Sequence, residues 1–143
     1  MDSKRVENES DPIPLTSTEK AYLAGFCDGE GCFGVYSGHG ILKIETTYEA
    51  YLERIGSQYG ANVIPATKQQ LHHKQAFAVK FMGQSLVQLL HDIYPYIVEK
   101  KDQVRTLMQF NAYKHGRGAR TRLTDMDRRV YAYLERKLKA MKR

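Results

Sequence analysis

Two carboxylates separated by a single glycine, Asp28 and Glu30, lie in the string Leu23-Ala24-Gly25-Phe26-Cys27-Asp28-Gly29-Glu30-Gly31, followed by Cys32 and Phe33. Tyr22, Leu23, Phe26 and Cys27 recur at helical spacing, which predicts a helix running to about Asp28 and stopped by Gly29 and Gly31. Both acids then stand at a helix C-terminus, where the macrodipole disfavours negative charge by roughly 0.3 to 1 kcal/mol each. A bound cation is one partner that would offset this cost. The plainer reading is a glycine-rich turn with two solvated carboxylates. Gly25 and Gly29 are four positions apart and share a helix face without side chains. Each costs ~1 kcal/mol relative to alanine, a cost easier to understand if a second helix packs closely there.

Few other residues invite chemistry. Cys27 and Cys32 show no recurring Cys/His spacing, so they read as two free thiols rather than a disulfide or a zinc site. His72 and His73 sit in a polar turn and read as surface residues, not metal ligands.

The elements that must position the acids follow from periodicity. Residues 1–15 are polar and broken by Pro12 and Pro14, which predicts a disordered arm ahead of one domain over 16–143. Thr16 with Glu19 forms a capping-box pattern for the first helix. GCFGVYS and ILKIET then read as two strands of a hairpin. Thr46 with Glu49 repeats the capping pattern before a helix whose face is Tyr48, Tyr51, Leu52, Ile55 and Tyr59, with Gly60 as its stop. NVIPATKQQ and KQAFAVKFM give a second strand pair, with Pro65 marking the first as an edge strand or a bulged one. Leu86, Leu89, Leu90 and Ile93 mark a third helix ending near Pro95, and Val104, Leu107, Met108 and Asn111 a fourth. Thr124 with Asp127 opens a fifth, with Met126, Val130, Leu134, Leu138 and Met141 as its apolar stripe. The expected fold is α+β: an α-ββ-α-ββ-α core with an antiparallel or mixed four-stranded sheet, helices on one face, and additional C-terminal helices.

With 143 residues and 42% hydrophobic residues, the chain fits one domain with one core. No apolar run approaches the ~20 residues of a membrane span, and the start, MDSKRVENESDP, has no apolar signal core. The expectation is a soluble intracellular protein without a membrane partner, in cytoplasm or an organelle. The net charge is +6. Fourteen Lys and Arg against four Asp and Glu lie from Lys100 onward, so the positive charge sits in the C-terminal third and favours a polyanionic partner.

Residues 22–33, YLAGFCDGEGCF, resemble the motif of the LAGLIDADG homing endonucleases with its usual flanks, and the expected element order is similar to that family's core over residues 17–110. The resemblance implies a site-specific endodeoxyribonuclease that makes double-strand breaks in double-stranded DNA with Mg2+ or another divalent cation. Because the motif occurs once, it implies a homodimer and a roughly palindromic target. The motif helices of two copies would pack side by side through Tyr22, Ala24, Gly25 and Asp28. Glu30, with Gly29 beside it, would hold the metal, and Asp28 would take the more structural acidic place. Cys27 replaces the more usual aliphatic residue. A basic catalytic residue falls on Lys100, with Lys101 the neighbouring alternative, and a polar one on Thr46, beside Thr47, where relatives often carry glutamine. Capping of the following helix is the competing explanation for Thr46.

In this family DNA lies along the free face of the sheet. Alternation turns Val35, Leu42, Ile44, Phe77, Val79 and Phe81 toward the helices. Cys32, Gly34, Tyr36, Lys43, Glu45, Lys74 and Lys80, with Lys68 and Gln70, are left for DNA, and the hairpin tip at Ser37 and His39 for flanking bases. The same resemblance admits a non-cutting alternative, an intron-splicing maturase or regulator of the same fold, with intron RNA as a partner.

Overall fold

The computed structural model describes residues 13–66, 74–117 and 122–142. The elements run α1 (Ser17–Glu30), β1 (Gly31–Tyr36), β2 (His39–Thr46), α2 (Glu49–Tyr59), β3 (Val63–Pro65), β4 (Phe77–Phe81), α3 (Gly83–Ile93), α4 (Lys101–Gly116) and α5 (Asp125–Ala140). The strands form one antiparallel sheet in the order β1-β2-β4-β3. Both hairpins therefore pair locally, and β2 joins β4 at the centre. β3 is an edge strand, as Pro65 requires, since a proline there removes no central ladder bond. Among the described residues no helix is long and apolar enough to cross a membrane.

One face of the sheet carries the core. Phe33, Leu42, Ile44 and Phe81 are fully buried against Leu23 and Cys27 of α1, Leu52 of α2, Leu86, Leu89 and Leu90 of α3, and Leu107 and Phe110 of α4. Each such side chain contributes about 1.5–3 kcal/mol by leaving water. The first helix starts where expected: Thr16 Oγ1 accepts from the Glu19 N–H, and Glu19 Oε1 accepts from the Thr16 N–H. The β1–β2 turn has Ser37 and Gly38 at φ of 53° and 76°, both left-handed, the geometry of a two-residue hairpin.

Four boundaries differ from the sequence reading. Leu15, expected in the arm, is only 9% exposed and belongs to the core. Gly29 does not end α1, which continues to Glu30 and is capped by Gly31 in an extended conformation. Thr46 and Glu49 form no capping box. Thr46 still belongs to β2, opposite Phe77, and its Oγ1 accepts from the Tyr48 N–H at 3.3 Å, while α2 starts from Tyr48 without a side-chain cap. The buried stripe of α5 is Asp127, Tyr131, Leu134 and Leu138 rather than one through Met126 and Val130, and Met126 is 58% exposed. Asp127 turns inward because the Tyr113 hydroxyl donates to its Oδ1 at 2.6 Å and Arg117 Nε to its Oδ2 at 3.0 Å. α5 packs on α4 and against β1, covering a sheet edge that would otherwise be open to strand pairing.

Candidate active site and nucleic-acid interface

The acidic string sits at the junction of α1 and β1. Gly31 makes that junction tight: a Cβ there would lie 2.8 Å from the Cys27 carbonyl oxygen, so the chain turns directly from helix into strand only with glycine. The two carboxylates consequently meet different surroundings. Asp28 accepts from the Val98 N–H at 2.8 Å and the Lys100 N–H at 2.9 Å, and so caps the start of α4 across the chain. The positive end of α4 thus offsets the cost of placing this acid at the end of α1. Glu30 is exposed, and among the described residues its carboxylate makes no hydrogen bond or ion pair.

Lys100 closes the arrangement. Its Nζ donates to the Gly31 carbonyl oxygen at 2.7 Å, one residue beyond Glu30. Lys101 points elsewhere, donating to the Tyr94 carbonyl at 2.9 Å and lying 4.5 Å from the Tyr94 ring centroid. Of the two candidate lysines, only Lys100 touches the motif. Thr46 ends β2 two positions beyond Ile44, which pairs with Gly31, so its hydroxyl lies at the same end of the sheet as the acids. Cys27 is packed beneath them, its thiol pushed up to about 12 by burial and by the neighbouring Asp28 charge.

Among the described residues no three His, Cys, Asp or Glu side chains lie together as a metal site. Glu30 has its ligand oxygens free, and the last carbonyls of a helix, including that of Gly29, lack intrahelical partners. Such an all-oxygen set suits a hard divalent ion, but one chain supplies too few ligands for it without phosphate, water or a second copy.

The free face of the sheet carries two lysines, Lys43 and Lys80, on its central strands. Cys32 pairs with Lys43, and Lys43 with Lys80, in one row, and all three are exposed. Two lysines directly opposite each other repel, which a polyanion laid across them would relieve. Glu45 is exposed and sits 3.7 Å from Lys43 Nζ. Lys74 is exposed just ahead of β4. Gly34 is on the same face as Cys32 and Tyr36 but is buried there, because the Tyr36 ring folds back over it and a Cβ would lie 2.6 Å from that ring. Lys68, Gln70, His72 and His73 lie outside the described residues.

Ala24, expected at a subunit contact, is fully buried in the chain's own core. The Asp28 carboxylate is turned inward to α4. Tyr22 is 60% exposed, and Gly25 and Gly29 are exposed with open space where side chains would be. The outward stripe of α1 is thus built on Tyr22, Gly25 and Gly29.

Two further lysines approach β1 and the β1–β2 turn from distant positions in the sequence. Lys142, just past α5, places Nζ 3.7 Å from Cys32 Sγ and 5.9 Å from the Tyr36 ring centroid. Lys114 in α4 donates to the Gly38 carbonyl at 2.7 Å and sits 3.0 Å from His39 Nδ1. No local pattern links residues so far apart in sequence.

This fold, a hairpin-paired antiparallel sheet with helices on one face and a helix end leading directly into an edge strand, is similar to that of solved LAGLIDADG homing endonucleases. The chain is similar to the homing endonuclease I-CvuI, solved in complex with the I-CreI target, at TM-score 0.65 and 19% identity, over 87% of this chain and 82% of that one. It is also similar to the archaeal intron-encoded I-Vdi141I complexed with DNA, at TM-score 0.67 and 16% identity, over 88% and 85%. A third is the LAGLIDADG meganuclease I-AabMI bound to uncleaved DNA, at TM-score 0.58 and 19% identity, over 81% of this chain and 43% of that one. The sequence matches no family model and no curated protein.

Proposed function

We infer that the chain is a site-specific endonuclease that hydrolyses both strands of a roughly palindromic duplex as a homodimer. The observation that carries this reading is Glu30: an exposed carboxylate without a partner among the described residues, at the end of the motif helix and one residue from the carbonyl that holds Lys100. Structurally similar proteins were solved on DNA, one of them, I-CvuI, once with Mg and once with Ca present, which supports duplex DNA as substrate and a hard cation as cofactor.

The chemistry follows from charge. A phosphodiester is itself an anion, so hydrolysis needs positive charge at the phosphate and an activated water. A divalent ion held by Glu30 and the Gly29 carbonyl of two subunits would supply both. Lys100, with one ammonium proton committed to Gly31, retains donors for a phosphate oxygen or for positioning water. Asp28 fixes Lys100 by capping its backbone N–H. Thr46, whose oxygen already accepts from Tyr48, keeps its hydroxyl proton for water or phosphate. The homodimer part of the reading is supported by the single Glu30 that one chain supplies and by coverage of 82% of I-CvuI but 43% of I-AabMI.

Supercoiled plasmids carrying a randomised insert test it. Linear product appearing only with magnesium is the expected result. Duplex bound but left intact under all conditions would move the chain to the non-cutting alternative, a maturase or regulator. Absence of any duplex binding would defeat the nuclease reading and leave only an RNA-binding form of the alternative.

A further inference from the structure

A cavity lies at the opposite end of β1 from Glu30. It occupies about 320 Å³ where the β1–β2 turn, the start of α3 and the last turns of α4 meet, and His39, Gly83, Gln84, Asn111, Lys114 and His115 line it. No Asp or Glu is among its lining residues. Its donors are unusually uncommitted. Asn111 rests Oδ1 against Gly40, where a Cβ would come within 2.9 Å, and its Nδ2 is buried without a hydrogen-bond partner. An ammonium is only a donor, so the 3.0 Å contact of Lys114 Nζ makes His39 Nδ1 the acceptor and leaves the ring proton on Nε2. Lys114 spends a further proton on the Gly38 carbonyl and keeps one. The first turn of α3 has no side-chain cap and no acidic residue, so its N–H groups and dipole also favour an anion. Partial burial, with Arg117 nearby, makes the Lys114 charge harder to hold and an anionic neighbour more favourable.

We propose that this cavity is an oxyanion site that grips a backbone phosphate of the duplex outside the cut, through Lys114, His39, Asn111 and the start of α3. The assignment of DNA as the source of the oxyanion rests on the nuclease reading above. β1 spans 6 residues. At about 3.3 Å per residue the site lies ~20 Å from Glu30, or roughly six base pairs along a duplex. It would fix how far each half-site extends and anchor the hairpin tip, without reading a base.

The test compares two duplexes of the selected target, one ending about four base pairs from the centre on each side and one about ten. Gln84→Glu is the informative variant. A carboxylate in the first turn of α3 favours the helix and so preserves folding, yet repels a phosphate. Wild type should bind the longer duplex several-fold more tightly than the shorter, and the variant should lose that gain. Its slope of log affinity against log salt should fall by about 0.9 for each site lost. In a separate arm without DNA, inorganic phosphate is titrated while the Asn111 side-chain amide is followed by NMR. A shift that disappears in Gln84→Glu is expected. A variant that keeps the full length-dependent gain would overturn the proposal, as would an Asn111 amide indifferent to millimolar phosphate. A protein that bound no duplex would remove DNA as the ligand and defeat the nuclease reading, while a phosphate-dependent Asn111 shift would still establish the anion site itself.

Discussion

Asp28 and Glu30 are separated by one glycine and by opposite surroundings, and that contrast makes them separable by mutation. Glu30→Gln keeps the size of the side chain but removes the charge a hard cation needs, so cleavage should fall by orders of magnitude while the melting temperature stays put. Duplex binding without metal should persist or strengthen, because a carboxylate facing phosphates is gone. A Glu30→Gln protein that cut at the normal rate would sink the assignment. Asp28→Ala should instead destabilise the fold by about 0.5–2 kcal/mol, the cost of losing a helix cap, because Val98 and Lys100 lose their acceptor. The thiols divide in the same way. Cys27 is buried and pushed up to about 12, whereas Cys32 is exposed beside Lys142. An aromatic disulfide reagent should label one thiol per folded chain, and Cys32→Ser should abolish that labelling. Two fast thiols in the native protein would contradict the burial of Cys27. At this scale the sequence showed which residue types could do chemistry, but not that Asp28 is occupied by another helix 70 residues away, since that contact exists only once α4 docks.

At the scale of elements, α5 depends on one buried charge pair. The Asp127 carboxyl is held well below the usual carboxylate range, first by the Tyr113 hydroxyl, then by the Thr124 N–H, with Arg117 adding to both, while burial works against them. Its folded value lies below the unfolded value of ~3.9, so its stabilising contribution is complete above about pH 5 and is lost progressively as pH falls from ~4 toward the folded value. Thermal melts between pH 7 and 3 should show this acid loss. Asp127→Asn should flatten that limb and start from a lower melting temperature at pH 7. Equal acid slopes in the two proteins would show that Asp127 does not set the dependence. Leu138→Ala, at a fully packed position of the same helix, should cost ~2–5 kcal/mol. Helix α5 also shows where periodicity misleads. Its cap at Thr124 and Asp127 was legible, because a capping box is local. Its buried face was not, because Asp127 is drawn inward by Tyr113 and Arg117, and a polar anchor leaves no mark in an apolar stripe. Thr46 and Glu49 carried the same cap pattern, yet the β4 ladder holds Thr46 in the strand and delays the helix. Among the described strand residues the sheet's alternation was legible, and what it did not show was that the Tyr36 ring covers the outward position at Gly34.

On the nuclease reading the whole molecule is incomplete as a catalyst while it stays a monomer, since among the described residues no three His, Cys, Asp or Glu side chains come together to hold a metal. The outward stripe of α1 offers the means of pairing: open space at Gly25 and Gly29, flanked by Tyr22. Gly25→Leu separates assembly from folding. Nothing within the described chain lies within 4 Å of a Cβ at position 25, so leucine fits the monomer, and in a helix interior it gains ~0.8 kcal/mol over glycine. Between two motif helices the same side chain would hold the backbones apart. The expected protein is therefore at least as stable as the parent toward denaturant at low concentration, yet monomeric in light scattering and inactive on the palindromic target. Mixing it with an excess of Glu30→Gln chains should restore no cleavage, because neither parent can complete a shared site. A Gly25→Leu protein that remained dimeric would move the subunit boundary off this face, and one that stayed monomeric yet made double-strand breaks would show that a single Glu30 is enough.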